Sequence, residues 1–156
     1  MNVDALTPEE FAELLNEYQL KDAALLQEHN DNAAAINAKY DAQIGKIDEI
    51  IAKLSITSEA EYYTKRADLN TRLEAAQKDL DQYTAEGNQE LIAVYTATRN
   101  ELQTQINNLD KDWNTLSLLL KNRADNLTAK SNELANEDSR YAAAQNKLKA
   151  EYAFLF

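Results

Sequence analysis

The sequence predicts an all-α protein, either a long antiparallel helical hairpin or an elongated three-helix coiled-coil bundle. Three observations carry that expectation. Side chains of one kind recur every eleven residues through the first third: Leu14–Leu25–Ile36–Ile47 forms one ladder, Tyr18–His29–Tyr40–Ile51 a second, and the small residues Ala12–Ala23–Ala34–Gly45 a third. Eleven residues make about three helical turns, so each ladder keeps to one face over a long distance, and that face needs another helix to cover it. Glycine and proline are nearly absent, at two and one in 156 residues, against average usage of about 7% and 5%. Without breakers the elements must be long. The remaining composition, rich in Ala, Leu, Glu, Lys, Gln and Asn, suits helix throughout.

The first helix is expected over about 8–54. Thr7-Pro8-Glu9-Glu10 supplies an N-cap, a proline at the first helical position and a glutamate that closes a capping box. Residues 1–6 precede it as a short leader. The apolar stripe runs from Phe11 through Leu15, Leu26, Tyr40 and Ile44 to Leu54, a rod of roughly 70 Å at 1.5 Å per residue. Gly45 falls within the small-residue ladder, and a close helix approach would explain it. A turn is expected at 55–58, where β-branched Ile56 and Thr57 weaken the helix and Ser58 with Glu61 repeats the capping signature. So short a connection reverses the chain into a hairpin.

The second helix is expected from residue 59 with heptad spacing at Tyr62, Arg66, Leu69, Leu73, Ala76, Leu80 and Tyr83. The series Leu69–Leu80–Leu91–Leu102–Trp113 then passes straight across Gly87-Asn88, so that dipeptide reads as a kink or C-cap within a continuing helix. A second turn near 110–115 would divide the chain into three rods of nearly equal length. The alternative is a hairpin whose second arm is one very long helix, because the seven-residue series passes through that stretch unshifted. Side-chain charge favours three rods: it sums to about −7 over 1–54, about −5 over 55–112 and about +1 over 113–156, and a near-neutral third helix would relieve repulsion between two acidic ones. The last helix is expected to reach about residue 155. Its seam follows sevens through Ile106, Trp113, Leu120, Leu127, Leu134, Tyr141, Leu148 and Leu155. Beyond Leu116 its companion positions become Ala124, Ser131, Asp138 and Gln145, so the seam is narrow there. The whole reads as one elongated helical domain, 1–156.

Bulk properties restrict function. The net charge of −11 repels phosphate and anionic lipid, which argues against nucleic acid or a membrane surface as the partner. No apolar run approaches the roughly 20 residues of a membrane span. The N-terminus lacks the basic and apolar regions of a signal peptide, so cytoplasmic synthesis, or a place in a virion, is expected. Cysteine is absent, which removes disulfides and thiolate metal sites. Without a secretion signal, the sequon Asn126-Leu127-Thr128 reads as coincidence.

Tests for chemistry return no catalytic, cofactor or metal site. His29 is the single histidine, so paired Glu-x-x-His and multi-histidine sites are excluded. Its place on a ladder suggests a polar layer that fixes helix register. The stretch Asp110-Lys111-Asp112-Trp113-Asn114 imitates the start of a calcium loop, but Thr115 stands where glycine is needed and Lys121 where a bidentate glutamate is needed. No glycine-rich loop exists to cradle phosphate.

The expectation is therefore a non-enzymatic structural or assembly protein. It would be a long-helix coiled-coil subunit that self-associates or docks into a larger complex such as a virion, secretion apparatus or filament, with no cofactor. Its expected partner seam is Leu127, Leu134, Tyr141, Leu148, Tyr152, Phe154, Leu155 and Phe156, in the narrow-seamed last third and the aromatic C-terminus. The alternative is an acidic adaptor or chaperone that holds a basic or helical client against Glu9, Glu10, Glu13 and Glu17.

Overall fold

The computed structural model describes residues 5–156; the first four residues of the expected leader lie outside the described residues. Three helices follow in order: α1, Pro8–Ile51; α2, Glu59–Glu86; and α3, Gln89–Glu151, with a short 3-10 turn at Ala153–Leu155. The class is all-α, and its principle is long antiparallel helix pairing. The chain reverses elsewhere than the spacing suggested.

At the N-terminus of α1 the expected cap is present, with Glu10 N donating to Thr7 Oγ1 at 3.1 Å. The break at 52–58 is also present, and Ser58 Oγ accepts from Glu61 N at 3.1 Å. It does not reverse the chain. Partners on α3 fall steadily across it: Asp48 meets Arg123, Ser55 meets Asp112, Tyr62 meets Asp110, and Gln77 meets Arg99. The end of α1 and the whole of α2 thus run the same way, both antiparallel to α3. The reason is Ile56, fully buried within the loop, where it joins Tyr62, Leu109 and Leu116 in one cluster flanked by Ile51, Leu54, Leu69 and Trp113.

The reversal occurs at Gly87-Asn88: of the two readings of that dipeptide the C-cap holds, but the helix does not continue through it. Gly87 takes the left-handed conformation, φ 69° and ψ 24°, and closes α2 with bonds from Gly87 N to Thr84 O and Asn88 N to Tyr83 O. Asn88 then caps α3 through Oδ1, which accepts from Leu91 N at 3.3 Å. Glycine accepts this backbone without a Cβ penalty. Stacked Tyr83 and Tyr95 close the hairpin end, ring centroids 5.3 Å apart. The turn expected near 110–115 is absent, since α3 continues through it for 63 residues in all. The helices are unequal, at 44, 28 and 63 residues.

The chain divides into two compact units. One is Gly45–Arg123, called here the turn unit. The other joins the described residues up to Ile44 with Ala124–Phe156 and is called the polar unit. In the turn unit the inner rows keep heptad spacing. All seven expected α2 positions, Tyr62 through Tyr83, are buried or half-buried, opposite Ile92, Tyr95, Arg99, Leu102, Ile106, Leu109, Trp113 and Leu116 on α3.

In the polar unit the spacing is eleven on both helices. Of the three α1 ladders two face inward. The third inward ladder is Phe11–Asp22–Ala33–Ile44, one position before the row expected; Ala12, Ala23 and Ala34 are exposed. Gly45 does not mark a close approach, because a Cβ there would meet nothing within 4 Å. On α3 and the turn after it, the eleven-residue rows Asn126–Glu137–Leu148, Lys130–Tyr141–Tyr152 and Glu133–Ala144–Leu155 are all buried or half-buried. The expected sevens fail only at Leu120 and Leu127, which are 40% and 43% exposed; Ile106, Trp113, Leu134, Tyr141, Leu148 and Leu155 are buried or half-buried.

Candidate interaction surface

The polar unit is held by two kinds of contact. An apolar cluster forms where the first turns of α1 meet the last turns of α3: Leu148, Tyr152 and Leu155 are buried against Phe11, Leu14, Leu15, Tyr18, Leu25 and Phe154. Tyr152 carries a polar handle out of this cluster. Its hydroxyl donates to Glu17 Oε1 at 2.6 Å and accepts from Lys21 Nζ at 2.9 Å. The Tyr152 bond, with that of Lys21, holds the Glu17 carboxyl below its usual range.

Further along the same pair the inner rows turn polar. Glu137, buried at 7% exposure, receives Arg140 Nη2 at 2.7 Å and Arg140 Nε at 2.8 Å, and Asn32 Nδ2 at 3.2 Å. His29 Nδ1 lies 3.3 Å from the same carboxylate, and the imidazole stacks on Tyr141 with centroids 4.4 Å apart. Arg140 also reaches Glu28. The Arg140 bonds, then those of Asn32 and His29, pull the Glu137 carboxyl down to about 2. A second layer has Tyr40 donating to Glu133 at 2.8 Å, with Lys39 against the same oxygen, and Lys130 pairing with Asp41. The first of these is the polar layer expected at His29; Glu133 and Glu137 carry no such expectation from their residue type. Their eleven-residue spacing to Ala144 and Leu148 was the available signal.

The expected partner seam divides between interior and surface. Leu148, Tyr152 and Leu155 are buried in the unit's own cluster with Phe154 against them, and Leu134 and Tyr141 are half-buried. Leu127 and Phe156 face outward at 43% and 79% exposure, Phe156 with its ring edge-on to Tyr18. Leu20 and Leu26 of α1 are also exposed in this unit, and Ile50, Tyr63, Val94, Leu118 and Leu120 in the turn unit. Glu9, Glu10, Glu13 and Glu17 are all exposed, but Glu17 is engaged by Tyr152 and Lys21.

The carboxylates of the calcium-like stretch are committed to structure. Asp110 accepts from Tyr62 at 2.6 Å and from Arg66 at 3.0 Å, and Arg66 chiefly holds its carboxyl down. Asp112 accepts from Ser55 N and Oγ, which pins the loop to α3. Among the described residues no group of three or more His, Asp or Glu side chains could hold a metal ion, and no helix is long and apolar enough to cross a membrane. No protein-family model, curated protein or solved structure matches the chain.

Proposed function

We propose that this protein is a non-enzymatic structural or assembly subunit whose long helices associate with further copies or dock into a larger complex. The observation that carries the reading is the incomplete coverage of α1. It presents three inward ladders over 44 residues yet buries only Tyr40 and Ile44. A helix with so long an inward stripe ordinarily completes its burial against more than one neighbour. The outward Leu20, Leu26, Leu127 and Phe156 supply apolar area for such a neighbour, and each leucine covered contributes about 1.5–3 kcal/mol. Polar groups in the inner rows are tied to one another in structural pairs, which supports a scaffold role.

Sedimentation equilibrium across a hundredfold concentration range tests this. Association into a defined multimer is expected, with apolar dye binding that falls as association proceeds. A monomer at every concentration, binding no dye, would sink the reading.

A further inference from the structure

In the turn unit one arginine stands apart from the others. Arg99 occupies an inner-row position of α3, between Tyr95 and Leu102, where it is half-buried and reaches Gln77 beside the small residue Ala76. Among the described residues its guanidinium meets only amide oxygens: Nη1 donates to Gln77 Oε1 at 3.3 Å and Nη2 to Asn100 Oδ1 at 3.3 Å. Guanidinium–carboxylate bonds run about 2.7–2.9 Å, so both contacts are loose. The other four arginines, Arg66, Arg72, Arg123 and Arg140, each pair with a carboxylate. A chain with net charge −11 thus leaves an inner-row cation without a carboxylate partner among the described residues.

Arg99 also lines a groove of about 540 Å³ between α2 and α3, whose lining includes half-buried Leu73 and, from exposed positions of α2, Glu74, Lys78 and Asp81. The groove therefore carries a guanidinium that meets no carboxylate among the described residues and, on its α2 lip, carboxylates that do not pair with it. A two-fold contact between identical surfaces needs such a combination, because each copy then offers the group that the other lacks. We propose that this groove is a contact between two copies of the chain, in which Arg99 of each receives a Glu74 or Asp81 carboxylate of the other while the Leu73 side chains meet across the axis. This rests on the self-association proposed above and gives it a place in the turn unit.

Sedimentation equilibrium of the full chain tests it, using wild type, Arg99→Glu, and Glu74→Lys with Asp81→Lys, each alone and in equimolar mixture. The wild type is expected to associate. Each charge-reversed chain alone is expected to associate at least about tenfold more weakly, and the mixture to recover wild-type strength because opposite lips then meet in trans. Single reversals of Glu74 and of Asp81 in the mixture identify the carboxylate used. Circular dichroism reports folding: a reversed chain that loses helix and gains nothing on mixing would assign Arg99 to its own hairpin and overturn the proposal. Association of wild type with no effect of Arg99→Glu would overturn this contact and leave self-association standing. A wild type that stays monomeric would remove both.

Discussion

A carboxylate taken out of water must be given donors in return, and Glu137 receives them from Arg140, Asn32 and His29. Its carboxyl stands at about 2 against an ordinary 4.5, and the direction of that shift sets the sign of its linkage to folding. The folded value lies below the unfolded one, so the stabilisation is complete above about pH 4.5 and is lost as the pH falls toward 2. Urea midpoints of wild type and Glu137→Gln should differ at neutral pH, with the variant lower, and should converge near pH 2. A gap independent of pH would show that the charge of Glu137 contributes nothing. Leu116 tests the other kind of core. It is fully buried in a cluster of large apolar side chains, so Leu116→Ala should cost about 2–5 kcal/mol in equilibrium unfolding. The contrast also explains what the sequence reading missed at this scale. Leu116 announces itself as core by its chemistry, whereas Glu133 and Glu137 occupy equivalent inner positions with side chains that ordinarily face water.

At the scale of elements, the two glycines make opposite predictions. Gly87 holds a positive φ with open space around its absent Cβ. Gly87→Ala therefore meets only the backbone penalty, a loss of about 1–2 kcal/mol. Gly45 lies within α1 with ordinary helical φ and equally open space. Gly45→Ala should stabilise by about 0.5–1 kcal/mol, read as a higher thermal midpoint. Destabilisation there would restore the close approach that its ladder first suggested. Helical class, the caps at Thr7 and Ser58, the α2 heptads and two of the three α1 ladders were legible because each rests on a local pattern. Turn placement was not. The Leu69–Leu80–Leu91–Leu102–Trp113 series crosses Gly87 unbroken because both arms of an antiparallel pair present inner rows, and a two-residue turn preserved the spacing by coincidence. The third ladder slipped by one position because Ala12–Ala23–Ala34–Gly45 is uniform in size, whereas the true inner row includes Asp22. The loop at 52–58 contains every sign of a reversal except the one that decides direction, the attachment of Ile56 to α3.

Over the whole molecule, the two units rest on different physics. The turn unit is built on an apolar cluster around Ile56 and Leu116, the polar unit on an apolar end and two hydrogen-bonded layers. Opening free energies follow buried apolar contact, so the two should differ in hydrogen exchange. Amides of 134–140 are expected to exchange at least about tenfold faster than those of 106–116 as the pH is lowered toward 3, since acid weakens the layer centred on Glu137 and leaves apolar burial intact. Uniform protection across both stretches would mean that the chain opens as one cooperative body.

The reversal at Gly87-Asn88 also sets an order of events during synthesis. Everything before it, α1 and α2 alike, is synthesised before any of α3 exists to cover it. The first residues of α3 find partners at once, across a two-residue turn. Tyr152 must wait until α3 is complete to reach Glu17, 135 residues earlier. Pairing therefore zips outward from the turn, and the start of α1 is covered last. The acidic Glu9, Glu10, Glu13 and Glu17 flank Phe11, Leu14 and Leu15, and like charge beside an uncovered apolar stripe disfavours contact between such chains.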